Sequence, residues 1–579
     1  MTRILANVED IYLRSTSHYG FYHRDWVPTV RGWGSRIRAA VPKTMPKNPM
    51  HAYHPKAKPI EVLLRRLSDT DDRRILLMVW AIHALQNNRV AQAKGLIRHP
   101  VEAETTDIES KYMAYKWEME SIITLTLNMQ KDVVPDFMKC PIDTTEFSEF
   151  ADTMNLLKAV EQEDSKKLAG DTIMREFHRI AHRQFPWQTG WENVANIYRH
   201  VFIYGQGQCA EYFKTTYGLT IQDFMACCFC LYVQTQQAAW NMPLTGKLPV
   251  EFAEGAMEKT MAMVSSELWT ARRESFELYK KTAVGSAIPA AYHPSYLRVR
   301  PVIRAAPRNH YIAPFPEFLL LRSTVGLYFD LIAAPTGVMN EARSRFEEYA
   351  RNTIVAYLPE FEPEGEQTYQ YKGNPAKTPD VLLKRVGRIV AVFECKATKL
   401  SFQAQYANDP AADAKSQYDQ IANGVFQLWK FFSHVRRGII DHDLADEVAA
   451  VVLTMEPWTQ TSAELRTAMI AEAEKIAAQK EPEMTVDDKR TPLFVSIHEL
   501  ENVMSRSTGD DLLETFRAAA HEARYDGWSI REVRTAAVEE KRDVKKYPFE
   551  PGQLLPWWKD TYDRGVAKRE AEAAEEKKE

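Results

Sequence analysis

The chain has 579 residues, 45% hydrophobic and 26% charged, with 23 Gly and 30 Pro, a balance that excludes a disordered or fibrous protein. That length exceeds what one hydrophobic core usually serves and implies at least two domains. With 74 Lys and Arg against 78 Asp and Glu, the formal charge is −4, which excludes a protein that coats nucleic acid through its overall charge, so any polyanion contact has to be local.

The charge is unevenly spread. Residues 1–60 carry ten Lys/Arg against three acids, a local +7. In this arm Tyr12, Tyr19, Phe21, Tyr22, Trp26 and Trp33 interleave with Arg14, Arg24, Arg31, Arg36 and Arg38, a mixture suited to phosphate contact with base stacking, or to anchoring an arm across a neighbouring domain. No signal-peptide run opens the chain, and the longest apolar stretch, Phe224 to Val233, is too short to span a bilayer. The expectation is a cytoplasmic protein without membrane contact, and six cysteines agree with a reducing compartment.

From 61 to 281 the net charge is −5 and apolar positions recur at three- and four-residue intervals, as in Glu61–Leu67, Arg74–Leu85 and Met154–Val160, which predicts an all-α domain. His178 and His182, four apart on a predicted helix, could clamp a metal, but a structural pair is the stronger reading. Cys227, Cys228 and Cys230, with Cys209 upstream, sit in an apolar run without the turn residues of a zinc knuckle, and read as core. Residues 282–330 read as a Pro/Arg-rich linker. Between 282 and 316 there are six prolines, no acid, and Arg298, Arg300, Arg304 and Arg308, candidates for phosphate contact. Residues 317–579 are net −10, and 546–579 read as a charged tail whose end, after Ala567, is a solvated helix.

Near residue 338 the pattern changes. Val338, Ala342, Phe346, Tyr349, Ala350 and Ile354 mark one face of a helix over 338–358; strands are predicted near 366–372, 379–384 and 389–397, then a helix at 412–434, a strand at 448–455, and a strand and helix over 491–505. If the hairpin turns about Gly387, positions equidistant from it face each other, so Asp380 opposes Glu394. Opposed Cβ atoms lie roughly 5 Å apart, a separation from which two carboxylates can share Mg²⁺ or Mn²⁺. Lys396, two residues on, shares their face, while Ala391 and Phe393 point away. An acid emerging from an apolar strand is costly unless something binds it.

Pro379-Asp380, followed after thirteen residues by Glu394-Cys395-Lys396, resembles the signature of the PD-(D/E)xK, restriction-endonuclease-like nucleases. The resemblance covers residues 338–500 and implies an α/β domain over 331–545 with an αβββαβ core and a mixed sheet, following the all-α domain. It also implies a metal-dependent phosphodiesterase in which Asp380, Glu394 and Lys396 are catalytic, Mg²⁺ or Mn²⁺ is held by Asp380, Glu394 and Glu347, and a residue of the following helix contacts a phosphate. For that last role Gln420 is preferred over Lys415 and Gln417. The expected substrate is double-stranded DNA, cut by an endonuclease that works as a homo-oligomer or with a partner subunit, since relatives that cut duplexes commonly pair two sites. A nuclease joined to a large helical domain also resembles bacterial and phage genome-conflict, or antiviral defence, proteins. Two alternatives remain open: action on RNA or single strands, and a helical binding scaffold with a non-catalytic nuclease-like fold. No Gly-x-x-x-x-Gly-Lys-Ser/Thr phosphate loop is present.

Overall fold

The computed structural model describes residues 57–131, 135–165, 173–240, 252–283, 288–305, 310–406, 414–457, 463–540, 542–559 and 561. Nearly all of the basic arm 1–60, Arg308 and the stretch after Ala567 lie outside the described residues.

The N-terminal half is helical: α1 (Pro59–Asp69), α2 (Asp72–Leu85), α3 (Lys116–Asn128), α4 (Phe147–Ser165), α5 (Ile173–Thr189), α6 (Val194–Tyr204), α7 (Gly207–Tyr217), α8 (Ile221–Gln237), α9 (Ala256–Val264) and α10 (Leu268–Thr282), with shorter turns between them. Local chemistry sets their ends. Asp71, Asn193 and Thr220 accept hydrogen bonds from the free N–H groups of α2, α6 and α8. Gly218, at φ 63°, closes α7 in the left-handed conformation that glycine adopts cheaply. Cys227, Cys228 and Cys230 are buried along α8, Cys209 is buried on α7, and burial pushes all four thiols up. Buried His178 and half-buried His182 stand ring to ring at 4.5 Å, with His178 Nε2 at 3.2 Å from the Ala404 carbonyl. Among the described residues no single helix is long and apolar enough to cross a membrane.

The predicted linker is instead built into the fold. Strand β1 (Ser265–Glu267) pairs in parallel with β2 (Val302–Ala305), which pairs antiparallel with β3 (His310–Ile312), and α11 (Glu317–Ser323) follows. The prolines punctuate these short elements rather than abolish them: Pro301 precedes β2 and Pro316 precedes α11. Ile303, Phe315 and Phe318 are buried.

The C-terminal half is α/β. Helix α12 (Thr336–Tyr357) leads to β4 (Glu362–Gly365), a separate ribbon of β5 (Thr368–Tyr371) and β6 (Asn374–Lys377), then β7 (Val381–Arg385), β8 (Arg388–Lys396), α13 (Lys415–Arg436), β9 (Leu444–Thr454), α14 (Ala463–Lys480), β10 (Pro492–Ser496), α15 (Ile497–Met504), α16 (Gly509–His521) and α17 (Ile530–Ala537). The main sheet is mixed, in the order β10-β9-β8-β7-β4, with β10, β9 and β8 parallel and the β8-β7 and β7-β4 pairs antiparallel. The first sheet strand is thus Glu362–Gly365, and the predicted strand 366–372 belongs to the outlying ribbon. Its alternating tyrosines mark a strand but do not say which partner it pairs with.

The sheet has two covered faces. Val381, Leu383, Ala391, Phe393, Val451 and Leu453 face a cluster that also holds α12, α15, α16 and the helical half. Leu382, Val392, Ala450 and Val452 alternate onto the opposite face, against Ile421, Val425 and Leu428 of α13 and Ala473 of α14. The first cluster is continuous from Leu63 to Trp558, so the two halves share a core. An ion pair also joins them: Arg199 of α6 reaches both carboxylate oxygens of Glu501 on α15 at 2.9 Å, and Tyr349 Oη donates to Glu501 at 2.5 Å. The first part of the predicted charged tail packs as well. Phe549 stacks on Tyr198 at 4.9 Å, and Trp557 and Trp558 lie 5.3 and 5.9 Å from Phe229 of α8. Its aromatic residues act as anchors despite the surrounding charge.

Candidate active site

The β7–β8 hairpin places the signature residues. Val381 pairs with Phe393, Leu382 with Val392 and Leu383 with Ala391, the predicted register. The turn itself is centred half a residue earlier: Arg385 pairs with Arg388 around Val386 and Gly387, both at positive φ, and Lys384 pairs with Ile389. A bulge at Val390 absorbs the difference and restores the register toward Asp380 and Glu394. Asp380 lies just before β7 and is pinned by its Oδ2, which accepts the Cys395 backbone N–H at 2.7 Å.

Glu394 faces α13, as alternation from Val392 requires. Its Oε1 binds Lys396 Nζ at 2.7 Å, Lys396 also donates to Gln427 Oε1 at 3.3 Å, and Glu394 Oε2 is buried with no hydrogen-bond partner among the described residues. Opposite them on α13 is Gly424, where a Cβ would lie 2.9 Å from Lys396 Cε and 3.3 Å from Glu394 Cγ. Glycine keeps that helix face open. The α13 residues beside the lysine are therefore Gly424 and Gln427, one to two turns beyond the predicted Gln420. Gln420 is exposed and accepts from the Thr398 hydroxyl, while Lys415 pairs with Asp419 at 2.9 Å. The signal for Gln427 was a glycine and a glutamine three apart on an otherwise apolar face.

The electrostatics are those of crowded, desolvated acids. Burial first, then Asp380, outweighs the opposing pull of Lys396 and pushes the Glu394 carboxyl up to about 8. Half-buried Glu347 is pushed up to about 7 by burial, Asp380 and Glu366, against Arg351 and Lys377. Burial also raises Asp380, though Lys396 and the Cys395 N–H oppose it. Burial would lower the Lys396 ammonium, but Glu394 and Asp380 outweigh it and hold the amine charged. Glu366 and Lys377, paired at 2.6 Å, belong to the same neighbourhood and carried no motif to reveal them.

Of the predicted basic contacts, Arg298, Arg300 and Arg304 are tied into the fold. Arg298 is nearly buried, its guanidinium held by both oxygens of Glu120 at 2.7 and 2.9 Å. Arg300 donates to the Ala262 and Ser265 carbonyls at 2.6 and 2.9 Å, and Arg304 pairs with Glu267 across the β1–β2 pair. Acids absent from 282–316 are supplied to Arg298 and Arg304 by other segments, while backbone carbonyls hold Arg300.

Among the described residues no group of three or more His, Cys, Asp and Glu forms a cluster able to hold a metal ion. Mg²⁺, however, commonly takes only one or two carboxylates, completing its shell with water and substrate phosphate. Asp380 and Glu394 offer hard oxygen donors, with Glu347 in the same electrostatic neighbourhood, and Glu394 Oε2 is a buried acceptor without a hydrogen-bond partner among the described residues. Carboxylate oxygens of this kind are the donor type that Mg²⁺ and Mn²⁺ take. Comparison with protein-family models, curated proteins and solved structures returns no match to this chain.

Proposed function

We propose that this protein is a Mg²⁺- or Mn²⁺-dependent nuclease, a DNA endonuclease with a PD-(D/E)xK type active site. The observation that carries the reading is Glu394: a carboxylate buried at the sheet, tied to Lys396 on one oxygen and bare on the other, with Asp380 fixed across the hairpin. The order of helix, three antiparallel strands, helix and parallel strand agrees with the core expected for such enzymes.

A bound divalent ion would supply charge neutralisation at the phosphodiester and acidify an attacking water. Asp380 and Glu394 would hold it, with Glu347 at its edge. Lys396 remains an ammonium, which suits it to stabilise the phosphorane rather than to act as a base. Two of its three protons are committed to Glu394 and Gln427, leaving one to donate to a phosphoryl oxygen. The hydrogen bond from the Cys395 N–H fixes the Asp380 carboxylate at the point where the hairpin opens.

The test is cleavage of plasmid, linear duplex, single-stranded DNA and RNA with Mg²⁺ or Mn²⁺, by the parent chain and by Asp380→Ala and Lys396→Ala. Nicking or linearisation by the parent alone is expected. Absence of cutting on every substrate, or equal cutting by the variants, overturns the reading, and cutting of RNA or single strands only would replace DNA as the substrate.

A further inference from the structure

We propose that the β5–β6 ribbon is a nucleic-acid-reading element that enters the major groove of the duplex beside the cut site. The proposal rests on the nuclease reading above and deepens it.

The ribbon stands outside the main sheet and, among the described residues, pairs only with itself, Thr368 with Lys377 through Tyr371 with Asn374, around a tight turn at Lys372 and Gly373 with φ of 50° and 76°. Its two faces differ. On the inner face, Tyr369 Oη meets His434 Nδ1 at 2.8 Å and Tyr371 Oη donates to Glu481 Oε2 at 2.7 Å. Arg437 donates to both Tyr371 Oη and Glu481 at 3.4 Å, and the Tyr371 ring lies 4.2 Å from that of His434. These contacts bolt the ribbon to α13 and to the end of α14. On the outer face and at the turn, Thr368, Gln370, Lys372, Asn374, Pro375 and Lys377 are exposed.

Shape and chemistry then select the occupant. Four residues per strand span about 14 Å, and a two-stranded ribbon fits a B-form major groove about 12 Å wide. Lys, Gln and Asn are the side chains that read base edges and phosphates there. Residues 367–379 contain two lysines and no acid, inside a half of the chain with a net charge of −10; Lys377 is paired with Glu366, so Lys372, exposed at the turn, is the ribbon's cation for a phosphate. A rigid inner anchor lets these exposed side chains be placed without a large ordering cost.

Position completes the argument. Lys377 is three residues from Asp380, at most about 11 Å along the chain. Ribbon contacts therefore fall within about seven base pairs of the scissile phosphodiester, at 3.4 Å per step.

Binding of the full chain in EDTA, read by fluorescence anisotropy, tests this on a duplex of about 30 base pairs, on the single strand and on duplex RNA, over about 50 to 200 mM salt. The variant is Gln370→Ala/Lys372→Ala/Asn374→Ala, which leaves the tyrosine anchors intact, with Lys372→Glu as a second, single change. Duplex DNA affinity should fall about tenfold or more, with the log–log salt slope flatter by about 0.9 for the lysine removed. Duplex RNA, whose major groove is too deep and narrow for side chains to read, should be unaffected. Unchanged DNA binding overturns the ribbon proposal while leaving the nuclease reading intact, and an equal loss on RNA overturns groove entry. If neither parent nor variant binds or cuts any nucleic acid, the nuclease reading itself has failed.

Discussion

Replacing Gly424 with alanine separates stability from activity. A glycine in the middle of α13 costs about 1 kcal/mol relative to alanine, so propensity favours the change. The added Cβ would lie 2.9 Å from Lys396 Cε, whereas carbons prefer about 3.5–4.0 Å, so the lysine must retreat by about 0.6–1.1 Å. The contact is to the outer part of a flexible side chain rather than to backbone, so the fold accommodates it. The 2.7 Å contact to Glu394 does not survive the shift unaltered. A misplacement of about 1 Å in a reacting group can cost about 100-fold. Gly424→Ala should therefore match or exceed the parent in thermal and urea unfolding, while its cleavage rate falls about 10- to 100-fold, chiefly in kcat. Parent-level cleavage with a normal melting temperature would show that Lys396 placement is irrelevant. A loss of stability beyond about 2 kcal/mol would show that the clash falls on the fold instead.

Three further outcomes follow from the geometry. Arg199→Met strands the fully buried Glu501 carboxylate and should cost about 3–5 kcal/mol in urea unfolding, most of it recovered in Arg199→Met/Glu501→Leu. If the double variant is no more stable than the single, the pair is not the source. Glu347 and Glu394, raised from 4.5 to about 7 and 8, keep protons in the folded chain that the unfolded chain releases. Metal-free stability should thus fall as pH rises from about 4.5 through 8, Glu394→Gln should flatten that fall, and Mg²⁺ should raise the melting temperature more at pH 8 than at pH 6. A flat profile refutes it. Val386, 90% exposed at φ 53°, is a β-branched residue in a left-handed turn position, so Val386→Asn should stabilise the hairpin by about 1 kcal/mol without changing cleavage. A destabilised variant would contradict this account of the turn.

Local periodicity made much of this architecture legible. The α12 face from Val338 to Ile354, the β8 run into Glu394 and the helical spacing of the first half all depend on neighbours in sequence, and these elements are present in the structure. Asp380 and Glu394 could be paired across a hairpin because register is a local property, even though a bulge at Val390 had to offset a misplaced turn. What stayed hidden depends on distant partners. Arg298 looked available because Glu120 lies 178 residues away. Tyr369 and Tyr371 alternate as a strand should, yet only His434 and Glu481 decide that this strand is a ribbon outside the sheet. Glu366, in the turn into that ribbon, and Lys377, at its end, reach the site through it, so no spacing rule exposes them.

The tryptophans that close the shared core have a consequence for biosynthesis. Phe229 on α8 waits for Trp557 and Trp558, roughly 330 residues later, which at ribosomal speeds is a delay of about 15–65 s. Through that interval the helical half has emerged with part of its apolar surface bare. Premature termination shortly before Trp557 would make this lasting. The folding of the first half is thus hostage to a segment made much later, and a chaperone that shields exposed apolar helices during translation should raise the yield of native chain more than one acting after release.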